Sequence, residues 1–391
     1  MFCDVFVLGR SGGVFFIRFA YLVSLTSKYV AFLRTAGVAM TTLFQNAESP
    51  LEIPFHDENV SGQLMHPSVV DFAAQDQENV GVWCDHRYWA AMSPYPAGNN
   101  QYENPCLYFS DDGDRWHEAV SNPLTRNVVS TDGTMRWGEG GAPVGWTANG
   151  PYNYDPELVY DRELLSTDGH RVGGLLVYFG AVASDATQQP NPILRWYRIS
   201  VVPDSRGALM IGPPVPAFTD RSSNLILSPS VVRVSEHEWH AWYCSRRAIK
   251  GSITLNIWRV TSSNGLFDCC TPEACSNPLP DRWYPWHLEV RRAGGKYWFL
   301  IVATTNRTSF HDPGNLRLAM SSDGLHLVDY TDAWALSPAA PAAWDSTTIY
   351  RAAFAIDSAD KINIWYSAAR RVDDKPIWRI GKTTGEITLE K

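Results

Sequence analysis

Beyond residue 60 the apolar positions fall into short runs, some alternating with polar residues and some continuous, and helical spacing is almost absent. The run "MHPSVVDF" at 65–72 shows the motif: His66 and Pro67 precede an apolar, β-branched stretch. Related heads stand at "DPELV" from 155, "SPSVV" from 228, "HLEVR" from 287 and, more loosely, "YRAAF" from 350. Each is followed by a second, aromatic run: "YWAAMSPY", "LLVYFGAV", "WHAWYCS", "YWFLIVATT" and "INIWYSAA". A third run follows in most copies, and two of these lead into the turns "SDDGDRW" and "SSDGLHL", where Asp-Gly suits a tight turn with positive φ. Repeats of roughly 60 to 90 residues built from short strands predict an all-β chain folded as a five-bladed β-propeller. A two-sheet sandwich would not repeat its strand heads in this way.

In a propeller the innermost strand of each blade lines the central channel, so the strand heads converge at one mouth. His66, Asp155, Ser228, His287 and either Tyr350 or Arg351 are therefore expected as neighbours. Side chains two apart share a strand face, which puts Ser68, Glu157, Ser230 and Glu289 just behind them. A single polar head can serve only to satisfy backbone groups around a water-filled channel. It is the whole ring that singles these residues out.

Composition narrows the partners. The chain has 391 residues, 45% hydrophobic and 19% charged, enough for a large core and too apolar for disorder. A formal net charge of -8 with no Lys/Arg block speaks against nucleic acid, because phosphate binding needs a basic face. Sixteen Trp and seventeen Tyr read mainly as filling for a β-rich core, with a minority left for stacking surfaces. Seven cysteines cannot all pair, so at least one thiol is free. Cys269, Cys270 and Cys275 in "FDCCTPEACSNP" have no CxxC pair or neighbouring His, so that segment reads as a loop; no metal or cofactor is expected. Near the N-terminus "VFFIRFAYLVSL" is interrupted by Arg18 and is far short of the ~20 residues of a membrane span. A signal peptide ending near "TAGVA" and a translation start at Met40 are both compatible with it. Residues 1–39 are set apart as an extension, and residues 40–391 are expected to form one propeller domain.

The ring of strand heads, with "YNYDPELVYD" the nearest stretch, resembles the five-bladed propellers of the family-43 and family-32 glycoside hydrolases over roughly residues 60–385. "HPSVV", "YWAAMSPYPAGNNQYENPCLYFSDDGDRW" and "YNYDPELVY" together resemble a propeller group of bacteria and tailed phages. The first resemblance implies an Asp heading the first blade as base or nucleophile, an orienting Asp heading the second, and a Glu from a later blade as acid. Asp155 matches the second of these, whereas the first-blade position holds His66 and the third blade begins with Ser228. The second carboxylate must then come from elsewhere, with Glu103 in "QYENP", Glu289 in "WHLEV" and Glu157 as candidates. Glu103 follows the "PAGNN" loop and can fold back over the mouth, or simply stabilise a turn beside Pro105. Glu289 can instead pair with Arg291 or Arg233.

The resemblance thus implies glycoside hydrolysis of a glycan, with Asp155, Glu289 and Glu103 as the carboxylates, one kept protonated as acid and one ionised. His66, His287 and Ser228 would bind sugar hydroxyls or hold a carboxylate, and Arg351 would bind an acidic sugar or keep a neighbouring Asp ionised. The long insertion "TDGTMRWGEGGAPVGWTANGPYNY" carries Trp137, Trp146, Tyr152 and Tyr154 up to Asp155, a candidate wall for stacking sugar rings. Beyond residue 39 no GxSxG, P-loop, dinucleotide or HExxH motif occurs. The missing first-blade Asp keeps a second class open, a non-catalytic carbohydrate- or receptor-binding propeller, and an extracellular or virion-associated setting suits either.

Overall fold

The computed structural model describes residues 42–54, 62–77, 80–98, 102–120, 122–124, 128–129, 135–136, 152–182, 195–220, 225–249, 252–305 and 314–389. Five antiparallel sheets follow one another along the chain as the blades of a propeller. Their innermost strands are Leu64–Asp71, Tyr152–Asp161, Leu225–Ser235, Tyr284–Ala293 and Thr348–Ile356. These five touch in a closed ring, each against the inner strands of the two adjacent blades. Every residue of the first and last is buried. A strand covered on both faces calls for a continuous apolar run, which is why these segments do not alternate.

Second and third strands complete each blade: Tyr88–Pro94 and Cys106–Ser110 in blade 1, Gly174–Val182 and Arg195–Pro203 in blade 2, Glu238–Ile249 and Ser252–Ser262 in blade 3, Lys296–Thr304 and Asn315–Ser321 in blade 4, Lys361–Val372 and Lys375–Glu386 in blade 5. Trp89, Trp196, Trp242, Trp298 and Trp365, one per blade, are among the largest fully buried side chains. Each buries roughly 200 Å² of ring, on the order of 5 kcal/mol before entropy is charged against it. Of these, Trp196, Trp242 and Trp365 pack against aromatic rings of an adjacent blade.

The Asp-Gly turns do more than reverse the chain. Gly113 (φ 74°) donates its N–H to Ser110 Oγ at 2.9 Å, and its carbonyl accepts the Trp365 indole N–H of blade 5 at 2.8 Å. Gly324 repeats this with Ser321 Oγ and the Trp242 indole of blade 3. Gly265, in the Ser262-Ser263-Asn264-Gly265 turn of blade 3, accepts the Tyr178 hydroxyl of blade 2 at 2.8 Å. Each turn thus clasps the blade before it. The third clasp lacks the Asp-Gly pair and has Asn in its place.

The segment before the first blade closes the ring. Leu51 donates its N–H to Ile380 O on the outer strand of blade 5 at 2.7 Å, and Leu43 and Phe44 bond Trp334 O and Ala335 O of blade 4. Among the described residues, "PLEIPF" meets the last blade through a single backbone bond rather than as a regular strand, with Leu51 and Ile53 packed on the core. Cys84, Cys106, Cys244, Cys269, Cys270 and Cys275 are all free thiols.

Candidate functional site at the strand-head mouth

At the head of every inner strand the ladder to the second strand slips: between Met65 and Ser68, Tyr154 and Glu157, Leu227 and Ser230, Pro285 and His287, and Ile349 and Ala352. His66 (φ 55°), Asp155 (φ 51°) and Ser228 (φ 54°) lie in the left-handed region, each just before a proline. Proline has no N–H to give the ladder, and a bulge re-aims the unpaired side chain, here into the channel. A non-glycine residue in this conformation costs about 1–3 kcal/mol. Three such residues meeting at one mouth are the structural meaning of the His-Pro, Asp-Pro and Ser-Pro heads.

Asp155 is the hub. Its Oδ1 lies 3.2 Å from His66 Nε2 and its Oδ2 3.5 Å from His287 Nδ1. Oδ2 also accepts the Ser228 backbone N–H at 2.9 Å. Ser228 Oγ is 2.6 Å from His287 Nδ1, and Glu103 Oε2 is 3.7 Å from His66 Nδ1. The Tyr350 ring stands 5.4 Å from the His66 ring and 4.4 Å from that of His287, its hydroxyl taking the Trp286 indole N–H at 2.9 Å. All of these side chains are buried.

Burial keeps both imidazoles neutral: His66 is lowered to about 3, and His287 is lowered too, although Asp155 pulls the other way. Burial likewise opposes ionisation of Asp155, but His66, His287 and Arg351 outweigh it and hold the carboxyl below the usual range. Glu103 moves in the opposite direction, since desolvation and the charge of Asp155 raise it well above a normal glutamate.

Two neutral imidazoles and one ionised carboxylate are a donor set for a divalent cation. His66, Asp155 and His287 each offer one ligand atom, all within 4.8 Å of one another. Ligands bound about 2.0–2.2 Å from a common ion lie roughly 3.0–3.5 Å apart, close to the His66–Asp155 separation. Both ring nitrogens of His66 and Nε2 of His287 lack a hydrogen-bond partner among the described residues, although they are buried. Buried polar atoms are rarely left so, which favours a ligand that would satisfy them. The residues fit a cation held by three protein donors with positions left open. No sequence spacing pointed to this, because the donors come from three blades.

One layer deeper the channel is closed by ions. Glu157 accepts from Arg291 Nη1 at 3.2 Å, Arg351 Nη2 at 3.0 Å and Ser68 Oγ at 2.8 Å. Glu289 pairs with Arg291 Nη2 and lies 3.4 Å from Arg351 Nη2. Two carboxylates and two guanidiniums, at most 7% exposed, balance one another. Ser230 Oγ caps the layer by taking the Val290 N–H at 2.8 Å.

The structure thus gathers His66, Asp155, Ser228, His287 and Glu103 at the mouth, with Tyr350 rather than Arg351 as the fifth head. Glu289 and Arg351 lie in the ion layer beneath. Tyr154 is a core residue: its ring packs over Gly180 and its hydroxyl donates to Ile226 O at 2.8 Å. Trp137 and Trp146, expected in a stacking wall, lie outside the described residues.

The architecture places the chain among five-bladed propellers of the kind found in glycoside hydrolases and their relatives. No protein-family model matches it. The A type blood N-acetyl-alpha-D-galactosamine deacetylase of Flavonifractor plautii is 23% identical over 359 residues, covering 84% of this chain and 42% of that protein. The chain therefore spans about two fifths of that relative. The crystal structure of an N-acetylgalactosamine deacetylase from F. plautii in complex with blood group B trisaccharide superimposes with a TM-score of 0.64 at 19% identity, over 90% of this chain and 96% of the other. A thermostable family-43 glycoside hydrolase superimposes with a TM-score of 0.53 at 13% identity, over 86% and 94%. At these identities the likeness establishes the fold.

Proposed function

We propose that this chain is a carbohydrate-acting hydrolase that removes the N-acyl group of an amino sugar, with His66, Asp155 and His287 holding a divalent cation at the strand-head mouth. The observation behind this reading is the convergence on one ionised carboxylate of two neutral imidazoles, with both nitrogens of His66 and Nε2 of His287 lacking a hydrogen-bond partner among the described residues. A carboxylate wedged between two histidines and a backbone N–H is poorly placed as a nucleophile and well placed as a ligand. The substrate class rests on the similarity to the F. plautii deacetylase.

A cation held by His66, Asp155 and His287 would polarise a carbonyl and lower the pKa of water. The chain's own residues supply the rest. Ser228 fixes the His287 ring through its Oγ contact. Glu103 is the proton carrier: with a cation bound nearby its carboxylate form would be favoured, and it would take a proton from the attacking water and return it to the departing nitrogen. The C–N bond breaks as a C–O bond forms, giving a free amine and a carboxylate. In this reading Glu289 and Arg351 hold the floor of the site and take no part in the chemistry.

A second reading has its own support. Glu103 is raised and Asp155 lowered within one pocket, the acid and base split that paired-carboxylate glycosidases use. One assay separates the two: the protein is incubated with an N-acetylgalactosamine-terminated oligosaccharide while acetate, free amine and new reducing ends are measured. The expected products are acetate and amine without reducing ends, lost on chelation, restored by added divalent cation, and reduced more than about a hundredfold in His66→Ala. Reducing ends that persist in chelator would establish the glycosidase instead, and binding with neither product would leave a non-catalytic glycan-binding propeller.

A further inference from the structure

Each inner strand runs away from the head mouth, so the strand tails gather at the opposite end of the channel. There a cavity of about 450 Å³ opens among blades 2, 3 and 4, bounded on the blade 1 side by the turn Gln75–Gln77. That volume suits a ligand of monosaccharide size. The layer of Glu157, Glu289, Arg291 and Arg351 lies between this cavity and the head-mouth residues. It is therefore a separate compartment.

Its lining is unevenly charged. Arginines outnumber carboxylates four to one, Asp76 being the single acid among the described lining residues. Arg291 is already engaged by Glu157 and Glu289 and reaches Asp76 only through Nε at 3.9 Å. Arg162, half exposed at the rim, has Glu163 at 3.5 Å outside the lining. Arg292 is exposed, which leaves Arg233 as the enclosed lining arginine that the ion layer does not engage. Its side chain is 12% exposed and its guanidinium is steadied over the Trp239 ring at 5.6 Å. Asp161 lies 3.4 Å from its Nε, yet Nε has no hydrogen-bond partner and the guanidinium makes no hydrogen bond among the described residues. Val70, Leu158 and Val231 supply an apolar wall beside it.

We propose that this tail-mouth cavity is a second binding site, for a carboxylate-bearing ligand of monosaccharide size, with Arg233 as its main contact and Arg162 at its rim. A planar guanidinium takes a carboxylate through two parallel N–H···O bonds, a match that a neutral sugar does not offer. The valine and leucine wall accepts the C–H face of a sugar ring. Arg291 forms part of both the cavity lining and the ion layer, so an occupant here adjoins the floor of the head-mouth site without entering it. The proposal is independent of the reaction assigned to that site.

The test is isothermal titration of the full chain with glucuronate, glucose and inorganic phosphate, repeated on Arg233→Gln, Arg162→Gln and Asp155→Asn. Saturable glucuronate binding is expected in the wild type and in Asp155→Asn, with no binding of glucose. Affinity should fall at least tenfold in Arg233→Gln and severalfold in Arg162→Gln. Should Arg233→Gln fail to fold, as judged by its thermal melt, the rim variant carries the test, since a half-exposed side chain is not needed for folding. No saturable glucuronate binding, glucose binding as well as glucuronate, binding indifferent to both arginines, or binding lost in Asp155→Asn would each overturn the proposal. Phosphate binding without glucuronate binding would overturn the ligand class.

Discussion

Glu289→Gln distinguishes a structural carboxylate from a catalytic one. In the fold Glu289 is fully buried, pairs with Arg291, and lies 3.4 Å from Arg351 Nη2. Glutamine keeps the shape and removes a carboxyl whose ionisation burial opposes and the two buried guanidiniums favour. Breaking a buried ion network on one side costs about 3–5 kcal/mol, because the remaining partner is left uncompensated. Here Glu157 still touches both guanidiniums, at 3.2 and 3.0 Å, so the lower end, about 3 kcal/mol, is expected. For a domain of this size that corresponds to a fall in Tm of roughly 4 °C. Urea unfolding followed by tryptophan fluorescence measures the stability, and the proposed deacetylation is assayed well below both transitions. Turnover should stay within about threefold of wild type. The double variant Glu289→Gln/Arg291→Met restores charge balance, so its destabilisation should fall well short of the sum of the two single changes. An unchanged Tm with turnover lost by orders of magnitude would show that Glu289 belongs to the chemistry, and strict additivity in the double variant would refute a coupled layer.

Three further outcomes follow from the geometry. A Cβ at Gly324 would lie 2.8 Å from Trp242 Cζ2, whereas one at Gly295, with the same φ of +76°, meets nothing within 4 Å; Gly324→Ala should therefore cost about 2–4 kcal/mol in urea unfolding and Gly295→Ala only about 1, and equal losses would remove the clasp from the account. Ser228→Ala deletes the Oγ contact to His287 but keeps the backbone N–H on Asp155, so cation affinity should drop about 10–100-fold with Tm nearly unchanged, as read by titration of the apo protein. In chelator, stability should decline on acidification below about pH 6.5, by up to about 1.4 kcal/mol per pH unit for each of His66 and His287. Their folded pKa values are lowered, so the unfolded chain binds more protons there and stability rises with pH; a flat profile between pH 7 and 5.5 would contradict neutral buried histidines.

Much of the architecture was legible in the sequence because each blade is assembled from neighbouring segments. Period-two and continuous apolar runs, the repeated heads and the Asp-Gly turns are local signals, and antiparallel pairing of consecutive strands turns them directly into blades. The meeting of His66, Asp155, Ser228 and His287 followed once five blades were counted, since ring closure alone brings the heads together. What was not legible depended on a one-residue phase or on contacts between blades. In the last blade, whether Tyr350 or Arg351 faces the mouth is decided by the bulge between Ile349 and Ala352, and a slip of one residue exchanges the two faces of a strand. The donor set of two histidines and one aspartate carries no spacing, because its members are joined only by the closed ring. Their protonation states follow from burial by Tyr350, Glu103 and the layer beneath, none of which adjoins them in sequence. The sequence therefore determined that the strand heads meet at one mouth, while the tertiary structure decided which side chain each head presents, which of them lose water and which meet an opposite charge, and it is desolvation and charge pairing that turn a polar strand head into a site.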